Sequence, residues 1–343
     1  MRVAELTALR RFELRESEPE RPQAGQVMVR VRAVGICGSD LHYFSEGGIG
    51  DVVCRYPMVL GHEPVGEIVQ SGAGVSGWQA GDRVLLEPAL YCYDCEFCLR
   101  GRHNVCPYMH FMSTPGTPGF FRELCVLPAR NVLPVPPGVG LEEATLFEPL
   151  AVALHSLRLA EPALGEWAAV WGAGPIGLLT ISVLRLSGVS RIWSVEPVKH
   201  RRAYALQAGA DVAIDPAEQD AARQILKDTG DRGVDMVFDC AAKGNSLNES
   251  LRACRPAGRV IVTGIHTGVH IPLEVNEIRR KELQLVWVRR SNHETDEAVE
   301  LLRTHPARFG ALVTHRRPLE EIQQAFELAE GYHDGAGKVV ITL

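Results

Sequence analysis

The chain has 343 residues, of which 46% are hydrophobic and 23% are charged, so it is long enough for about two globular domains. Its formal net charge of -6 gives no reason to expect a nucleic acid or an anionic membrane as a partner. The N-terminal segment is charged throughout and no stretch approaches the roughly 18 apolar residues of a membrane span, so we expect a cytoplasmic protein.

The first 150 residues are predicted to form a mostly β domain. Residues 27–34 carry β-branched side chains at strand spacing, and glycine and proline recur at short intervals after them. This pattern is typical of a compact, barrel-like fold with long loops.

Four of the nine cysteines lie close together along the chain, at Cys92, Cys95, Cys98 and Cys106. In a chain with no export signal, this clustering favours metal binding over disulfides. Four thiolates can close a tetrahedral zinc site with no water ligand, which is typical of structural zinc. Reduced, unliganded cysteines and an iron–sulfur cluster are the alternatives. Zinc is favoured because the surrounding segment has too few apolar residues to fold without a bound metal.

From about residue 150 onward, short apolar strands alternate with helical segments, which predicts a doubly wound parallel sheet. The expected strands are residues 168–171, 192–195, 212–214, 234–239, 259–263 and 283–288. Helices are expected over residues 197–208 and 217–227, and nearer the C-terminus over 294–303 and 318–330, before a last strand at 338–343.

A glycine-rich turn directly follows the first of these strands, with the residues Gly172, Ala173, Gly174, Pro175, Ile176 and Gly177. The three glycines provide a tight turn, room for a pyrophosphate and close packing of helix on strand. Proline suits the first helical turn, and the helix N-terminus attracts a diphosphate. The sequence therefore predicts a dinucleotide site.

Glu196 ends the second strand, where an acidic side chain can accept hydrogen bonds from ribose hydroxyls and repel a 2′-phosphate, which favours NAD over NADP. The basic run that follows it (199–202) is interpreted as the solvated face of a helix, although its side chains could also embrace a phosphate. We include Arg201 from this run among the cofactor-binding residues.

A second set of candidate metal ligands is dispersed along the chain, at Cys37, His62, Glu63 and Glu148. Taken one by one, the cysteine could be a small buried residue, the histidine an ordinary surface residue and Glu148 a salt-bridge partner. Sequence spacing alone does not bring these residues together.

The segments GICGSDLH and VLGHE, the four-cysteine segment and GAGPIG, in this order, resemble the zinc-dependent medium-chain alcohol dehydrogenase superfamily over essentially the whole chain. PMVLGHE and EPLAV resemble its sorbitol (polyol) dehydrogenase branch, with Glu148 at a position where other alcohol dehydrogenases carry a cysteine ligand. The resemblance implies an α/β protein: a Rossmann doubly wound parallel sheet plus a mostly β GroES-like catalytic domain. The implied division is 1–150 (catalytic, with the structural zinc segment), 151–288 (NAD-binding) and 289–343, a return segment that completes the catalytic domain.

Family resemblance also implies one catalytic zinc held by Cys37, His62 and Glu63. One thiolate and one carboxylate neutralise the zinc dication, so Glu148 is expected to act through the metal-bound water or to exchange with Glu63. The metal would lower the pKa of a substrate hydroxyl, and the substrate would then transfer hydride to NAD. Ser39 and His42 match the family's proton relay.

The resemblance places Tyr43, Phe111, Thr114 and Arg289 around the substrate, and together these residues suit a polyol. The predicted activity is oxidation of a secondary hydroxyl of a sugar alcohol to a ketose. Two alternatives remain within the superfamily, an aldonate (L-idonate-type) and a threonine-type dehydrogenase, and a non-catalytic cofactor-binding scaffold is the alternative of another class. By analogy we expect a homotetramer or else a dimer.

Overall fold

A computed structural model describes residues 1–343. The chain divides into two compact units, one formed by Met1–Glu148 with Thr295–Leu343 and the other by Pro149–Glu294. None of the helices combines the length and the apolar character that crossing a bilayer requires.

The first part of the chain is rich in short strands. These are β1 (Arg2–Ala8), β2 (Arg11–Glu16), β3 (Gln26–Gly35), β4 (Gly48–Ile49), β5 (Val52–Val53), β6 (Glu63–Ser71), β7 (Arg83–Leu86), β8 (Ala89–Leu90), β9 (His110–Phe111), β10 (Leu124–Pro128) and β11 (Val132–Pro134). Its helices are α1 (Gly38–Ser45), α2 (Glu96–Leu99) and α3 (Leu141–Ala144), with single 3-10 turns at His103–Val105 and Ala129–Asn131. The mostly β character predicted for this part is confirmed.

Strands and helices alternate through the middle of the chain. Its strands are β12 (Trp167–Trp171), β13 (Arg191–Val195), β14 (Val212–Ile214), β15 (Val234–Asp239), β16 (Cys254–Val262) and β17 (Gln284–Trp287). Its helices are α4 (Phe147–Ala160), α5 (Pro175–Leu186), α6 (Lys199–Ala208), α7 (Ala221–Asp228), α8 (Ser246–Ala253) and α9 (Val275–Lys281). The six strands are parallel and lie in the order β14-β13-β12-β15-β16-β17, which is the arrangement of a dinucleotide-binding sheet. The predicted doubly wound sheet is confirmed.

Two element boundaries in this unit differ from the predicted ones for local reasons. α7 begins later because Asp220 caps it, its side chain accepting a hydrogen bond of 2.9 Å from the backbone N–H of Arg223. β16 begins earlier, at Cys254, although Pro256 and Gly258 are poor strand formers that hide this part of the strand in the sequence.

The last part of the chain returns to the first unit. It contains α10 (Thr295–Thr304), α11 (Pro306–Gly310), β18 (Val313–Pro318), α12 (Ile322–Gly331) and β19 (Lys338–Thr342), with 3-10 turns at Leu319–Glu321 and His333–Gly335. The predicted helix at 318–330 therefore starts later, because Pro318 ends a strand and a 3-10 turn comes first. β18 itself was not predicted.

β3 is the central strand of the seven-stranded sheet in the first unit. The order is β11-β7-β6-β3-β19-β18, and β10 also pairs with β3. Because β19 pairs with the end of β3, with Val340 opposite Gly35, the tail supplies part of this sheet. The valines of β3 are almost fully buried, as expected for an interior strand.

Candidate active site

Three candidate metal ligands come together where β3 ends and β6 begins. Cys37 lies between β3 and α1, Glu63 is the first residue of β6, and His62 directly precedes it. β3 pairs antiparallel with β6, with Gly35 opposite Glu63, so residues after one strand face residues that begin the other. One ligand atom from each of the three side chains lies within 4.8 Å of the others. The thiol, imidazole and carboxyl groups form a donor set suited to catalytic zinc.

Asp40 supports this cluster and was missed in the sequence analysis. Its buried carboxylate accepts hydrogen bonds from the backbone N–H of Cys37 (3.1 Å), the backbone N–H of Gly61 (3.2 Å) and the hydroxyl of Ser113 (2.8 Å). One of its oxygens also lies 3.3 Å from Nδ1 of His62. Its position in the first turn of α1, three residues after Cys37, is the one signal in the sequence that could have suggested this role.

Charge is balanced between Asp40 and His62. Burial opposes ionisation of Asp40, but His62 and the hydrogen bonds lower the pKa of this carboxyl group. Burial also opposes protonation of His62, yet Asp40 and Cys37 raise the pKa of the imidazole well above its ordinary value. The other ring nitrogen, Nε2, lies 3.4 Å from the hydroxyl of Ser39, and the ring packs at 5.3 Å from that of Phe111. Nδ1 is thus assigned to Asp40, and Nε2 remains for a metal.

Glu63 is completely buried and only one of its oxygens is paired. Oε2 forms an ion pair with the ammonium group of Lys338, whose side chain is 1% exposed, Oε1 has no ion-pair partner, and neither oxygen has a hydrogen-bond partner. Lys338 also donates a hydrogen bond of 2.9 Å to the carbonyl oxygen of Ile36. An unpartnered carboxylate oxygen in a dry site is costly unless it binds a ligand, and this observation supports a bound cation. Lys338 was missed because a lysine in a strand is usually solvent-exposed.

Two further carboxyl groups of the same unit, those of the buried Glu148 and the half-buried Glu87, have raised pKa values. Burial, together with the nearby Glu63 and Glu87, raises the pKa of Glu148 to about 7, although His62 and Lys338 act in the opposite direction. Glu87 accepts a hydrogen bond of 3.0 Å from the hydroxyl of Thr295, and burial raises its pKa as well. Glu148 is therefore close enough to the ligand cluster for their charges to interact, but the cluster within 4.8 Å consists of the other three residues.

The four clustered cysteines also converge. The sulfur atoms of Cys92 and Cys98 lie 3.9 Å apart, those of Cys95 and Cys106 3.8 Å, and those of Cys106 and Cys92 3.5 Å. A tetrahedron of Zn–S bonds of about 2.3 Å separates its sulfur atoms by about 3.8 Å, whereas a disulfide would require about 2 Å. Hydrogen bonds from the backbone N–H groups of Asp94 and Cys95 lower the pKa of Cys92 to about 6, whereas burial raises the pKa of Cys98 to about 12. Cys92 is therefore the thiol that most readily forms the thiolate that a metal needs. The site fits zinc.

The remaining predicted residues of the first unit differ in accessibility. Nδ1 of His42 pairs with Glu46 at 2.9 Å. Tyr43 is 4% exposed and belongs to the hydrophobic core, while Phe111 is buried against His62. The hydroxyl of Thr114 donates to the carbonyl oxygen of Phe111 at 2.6 Å. Arg289 belongs to the second unit, where it is exposed just after β17.

In the second unit, the glycine-rich turn has the conformation that its glycines predict. Gly172 has a φ of +87°, and a side chain on Gly177 would place its Cβ 1.9 Å from the carbonyl oxygen of Gly172. Gly174 caps α5, and Pro175 is its first residue. The strand, turn and helix thus leave backbone N–H groups available for a diphosphate.

The carboxylate of Glu196 holds this turn together. Oε2 accepts a hydrogen bond of 2.7 Å from the backbone N–H of Ala173, and Oε1 accepts one of 2.9 Å from that of Val198. Each carboxylate oxygen has a second lone pair, so contacts to ribose hydroxyls remain available.

The interpretation of the basic run 199–202 as a solvated helix face is wrong for two of its residues. Arg202 donates hydrogen bonds to the carbonyl oxygens of Glu196 (2.8 Å) and Pro197 (2.7 Å) and pairs with Asp215 at 2.8 Å. Arg201 is 8% exposed, and its guanidinium would lie 3.8 Å from a Cβ on Gly174. Arg202 is thus held by contacts within the unit, and Arg201 lies against the glycine-rich turn.

Comparison with known proteins supports both halves of this description. Residues 23–137 match the alcohol dehydrogenase GroES-like domain, and residues 175–304 match the zinc-binding dehydrogenase domain. Together these two matches cover the ligand cluster, the four cysteines and most of the dinucleotide-binding sheet.

Several curated proteins are similar to the chain along most of its length. Sorbitol dehydrogenase of Bacillus subtilis is 34% identical over 92% of this chain and 90% of its own. L-threonine 3-dehydrogenase of Pyrococcus furiosus is 34% identical over 96% of this chain and 95% of its own. L-idonate 5-dehydrogenase of Vitis vinifera is 34% identical over 88% of this chain and 84% of its own. Three substrate classes are therefore represented at equal identity.

Solved structures share the whole fold. An oxidoreductase/dehydrogenase of unknown specificity from Escherichia coli superposes with a TM-score of 0.93 at 30% identity, over 99% of this chain and 98% of its own. An alcohol dehydrogenase from the same species, in complex with NADH, has a TM-score of 0.90 at 27% identity, over 100% and 99%. A zinc-binding dehydrogenase from Sinorhizobium meliloti bound to NADP has the same TM-score at 25% identity, over 100% and 99%.

Proposed function

Because the chain belongs to the zinc-dependent medium-chain alcohol dehydrogenase superfamily, in its sorbitol dehydrogenase-like branch, we propose that it oxidises a secondary hydroxyl of a sugar alcohol to a ketose. The chain is an oxidoreductase, and its cofactors are zinc and NAD. The observation that carries the proposal is the approach of Cys37, His62 and Glu63 to within 4.8 Å, with one oxygen of Glu63 left without a partner.

Cys37, His62 and Glu63 are assigned as the ligands of the catalytic zinc, with Glu148 acting through a water molecule. Bound zinc supplies a Lewis acid that lowers the pKa of a substrate hydroxyl, and NAD supplies the hydride acceptor. Asp40 orients the imidazole through Nδ1, as a buried carboxylate beside a metal-binding histidine does.

Proton removal is assigned to residues of α1. The hydroxyl of Ser39, 3.4 Å from Nε2 of His62, takes the proton of the substrate hydroxyl. His42, paired with Glu46, passes it on towards solvent. This side chain is 18% exposed, which suits a final acceptor.

The NAD site is assigned to the second unit. The turn residues Gly172, Gly174, Pro175, Ile176 and Gly177 hold the diphosphate through backbone N–H groups. Arg201, buried against this turn, adds a positive charge beside the phosphates. Glu196 binds the ribose hydroxyls and disfavours a 2′-phosphate.

The four cysteines hold a second, structural zinc, and their sulfur spacing supports this assignment. We also propose a cytoplasmic location, because cysteines clustered as zinc ligands are typical of a reducing compartment.

Substrate preference is assigned to Tyr43, Phe111, Thr114 and Arg289. A sugar alcohol of the sorbitol or xylitol type is favoured because sorbitol dehydrogenases and D-xylulose reductases are among the similar proteins. The similarity to threonine and L-idonate dehydrogenases specifically favours an amino alcohol or an aldonate as the second candidate.

The test is a substrate panel with the purified, zinc-replete protein. NADH absorbance would be followed with sorbitol, xylitol, galactitol, L-idonate and L-threonine. We expect the highest kcat/KM with a polyol, and a higher value with L-threonine or L-idonate would replace the polyol assignment. Cys37→Ser should abolish turnover while the protein remains folded, and an active variant would refute the metal site.

We also propose that the chain forms a homo-oligomer. β17 is an edge strand of the six-stranded sheet, and its last residue, Trp287, is 53% exposed. An exposed edge with a large apolar side chain is typical of a surface that is covered in the assembled protein. Light scattering coupled to size exclusion should give a mass of two or four chains, and Trp287→Arg should lower it.

A further inference from the structure

We propose that Lys338 is a positioning residue for the metal ligand Glu63: its ammonium group binds Oε2, so that the carboxylate offers only Oε1 to the catalytic metal. This inference rests on the proposed metal site. It assigns a role in the reaction to a residue far from the ligands in sequence.

The geometry of three adjacent strands carries the inference. β6 and β19 flank β3 on opposite sides. Glu63 is the first residue of β6 and lies opposite Gly35, while Lys338 is the first residue of β19, which pairs with the same end of β3. The two side chains meet over Gly35, where a Cβ would lie 2.0 Å from Oε2 of Glu63 and 2.8 Å from Cε of Lys338. The missing side chain at Gly35 is what makes room for the ion pair.

Burial makes this contact specific. Glu63 is 0% exposed and Lys338 is 1% exposed, so water cannot replace either partner. The hydrogen bond of 2.9 Å from Nζ to the carbonyl oxygen of Ile36 fixes the ammonium group at a second point. A cation held in this way fixes the rotation of the carboxyl group, with Oε2 in the ion pair and Oε1 outside it. Neither oxygen has a hydrogen-bond partner, so Oε1 is free to bind a metal.

The consequence for the metal concerns coordination. With Oε2 held by Lys338, Glu63 would offer one oxygen to a bound metal, which would leave a position for the substrate hydroxyl. Without the ammonium group, both oxygens of Glu63 are available, and a two-oxygen contact would fill that position and weaken the Lewis acid. Mutation of a residue that supports a metal ligand in this way typically lowers activity or metal affinity by roughly 10–100-fold.

The test uses Lys338→Met, which removes the charge at similar length, and Lys338→Arg, which keeps it. The catalytic zinc is replaced by Co²⁺, and the visible d–d bands report the number of ligands, independently of turnover. Metal analysis counts both sites, with the four-cysteine site as the internal reference. Lys338→Gln, which can still donate to Ile36, replaces the methionine variant if that variant does not fold.

We expect the neutral variant to show shifted and weaker Co²⁺ bands, or to lose this metal while retaining the one at the cysteines, with kcat falling roughly 10–100-fold. The arginine variant should restore the bands. Gly35→Ala, which displaces Oε2, should change the bands in the same direction.

Wild-type bands with both metals bound in the neutral variant would overturn the role of Lys338. Failure of the metal site itself is distinguishable, because the wild-type protein would then show no d–d bands that depend on Cys37.

Discussion

Oδ1 of Asp40 lies 3.3 Å from Nδ1 of His62, while the other oxygen of the same carboxylate accepts the backbone N–H of Cys37 at 3.1 Å. One buried side chain thus positions two of the three assigned metal ligands. It fixes the ring orientation of one ligand and the backbone of the other.

Asp40→Asn tests this relationship. The amide keeps the volume but loses the charge that orients the imidazole, so catalytic zinc should be released to a chelator roughly 10–100-fold more readily. The measurement is metal content against chelator concentration, together with kcat/KM. Asp51→Asn, at an exposed loop position, is the matched control. Unchanged zinc retention in the Asp40 variant would contradict the assigned role.

The four-cysteine site is expected to stabilise its own segment rather than to take part in the chemistry. Cys95→Ser should reduce the zinc content by one ion per chain, lower the thermal midpoint and leave the second metal in place. Metal analysis and thermal unfolding measure both effects. Cys125→Ala, at a buried cysteine outside both clusters, should retain both metals. Loss of both ions in the Cys95 variant would show that the two sites are not independent.

Glu196 is expected to decide the choice of cofactor. Glu196→Gln removes the negative charge that disfavours a 2′-phosphate, so the ratio of kcat/KM with NAD to that with NADP should fall by roughly tenfold. Because the wild-type carboxylate also binds the N–H groups of Ala173 and Val198, KM for NAD should rise as well. Glu218→Gln, at an exposed position in the same unit, is the control. An unchanged ratio would mean that the acidic side chain does not select the cofactor.

The lowered pKa of Asp235 leads us to expect that the stability of the second unit depends on pH. Burial opposes its ionisation, but hydrogen bonds from Arg232 and Arg255 lower its pKa from 3.8 to about 2. Because the pKa is lower in the folded state, the stabilisation is complete above pH ~4 and is lost as the pH falls towards 2. The difference corresponds to about 2 kcal/mol.

Asp235→Asn should therefore lower the thermal midpoint at pH 7, and the gap to the wild type should narrow between pH 4 and pH 3. Differential scanning fluorimetry across this range measures the gap. Asp231→Asn, at an exposed turn position in the same unit, should behave like the wild type. A gap that stays constant with pH would refute the shifted pKa.

Local sequence determined much of this protein. The alternation of short apolar strands with helical segments was sufficient to predict the six parallel strands. Apolar residues recur at a different spacing in strands than in helices, and turn residues mark where each element ends. The glycines at 172, 174 and 177 predicted the tight turn, since few other residues adopt its conformation or leave the required space. Close spacing likewise made the four cysteines recognisable as one site.

Only the tertiary structure decided how residues distant in sequence meet. The pairing of β3 with β6 and β19 brings Cys37, Glu63 and Lys338 to one end of a sheet, and no sequence period encodes that register. The roles of Asp40 and Lys338 depend on burial, because a charge that water would solvate at the surface is costly in the interior unless it is paired. The sequence supplied the chemical groups, and the dry interior formed by strand pairing determined which of them act together.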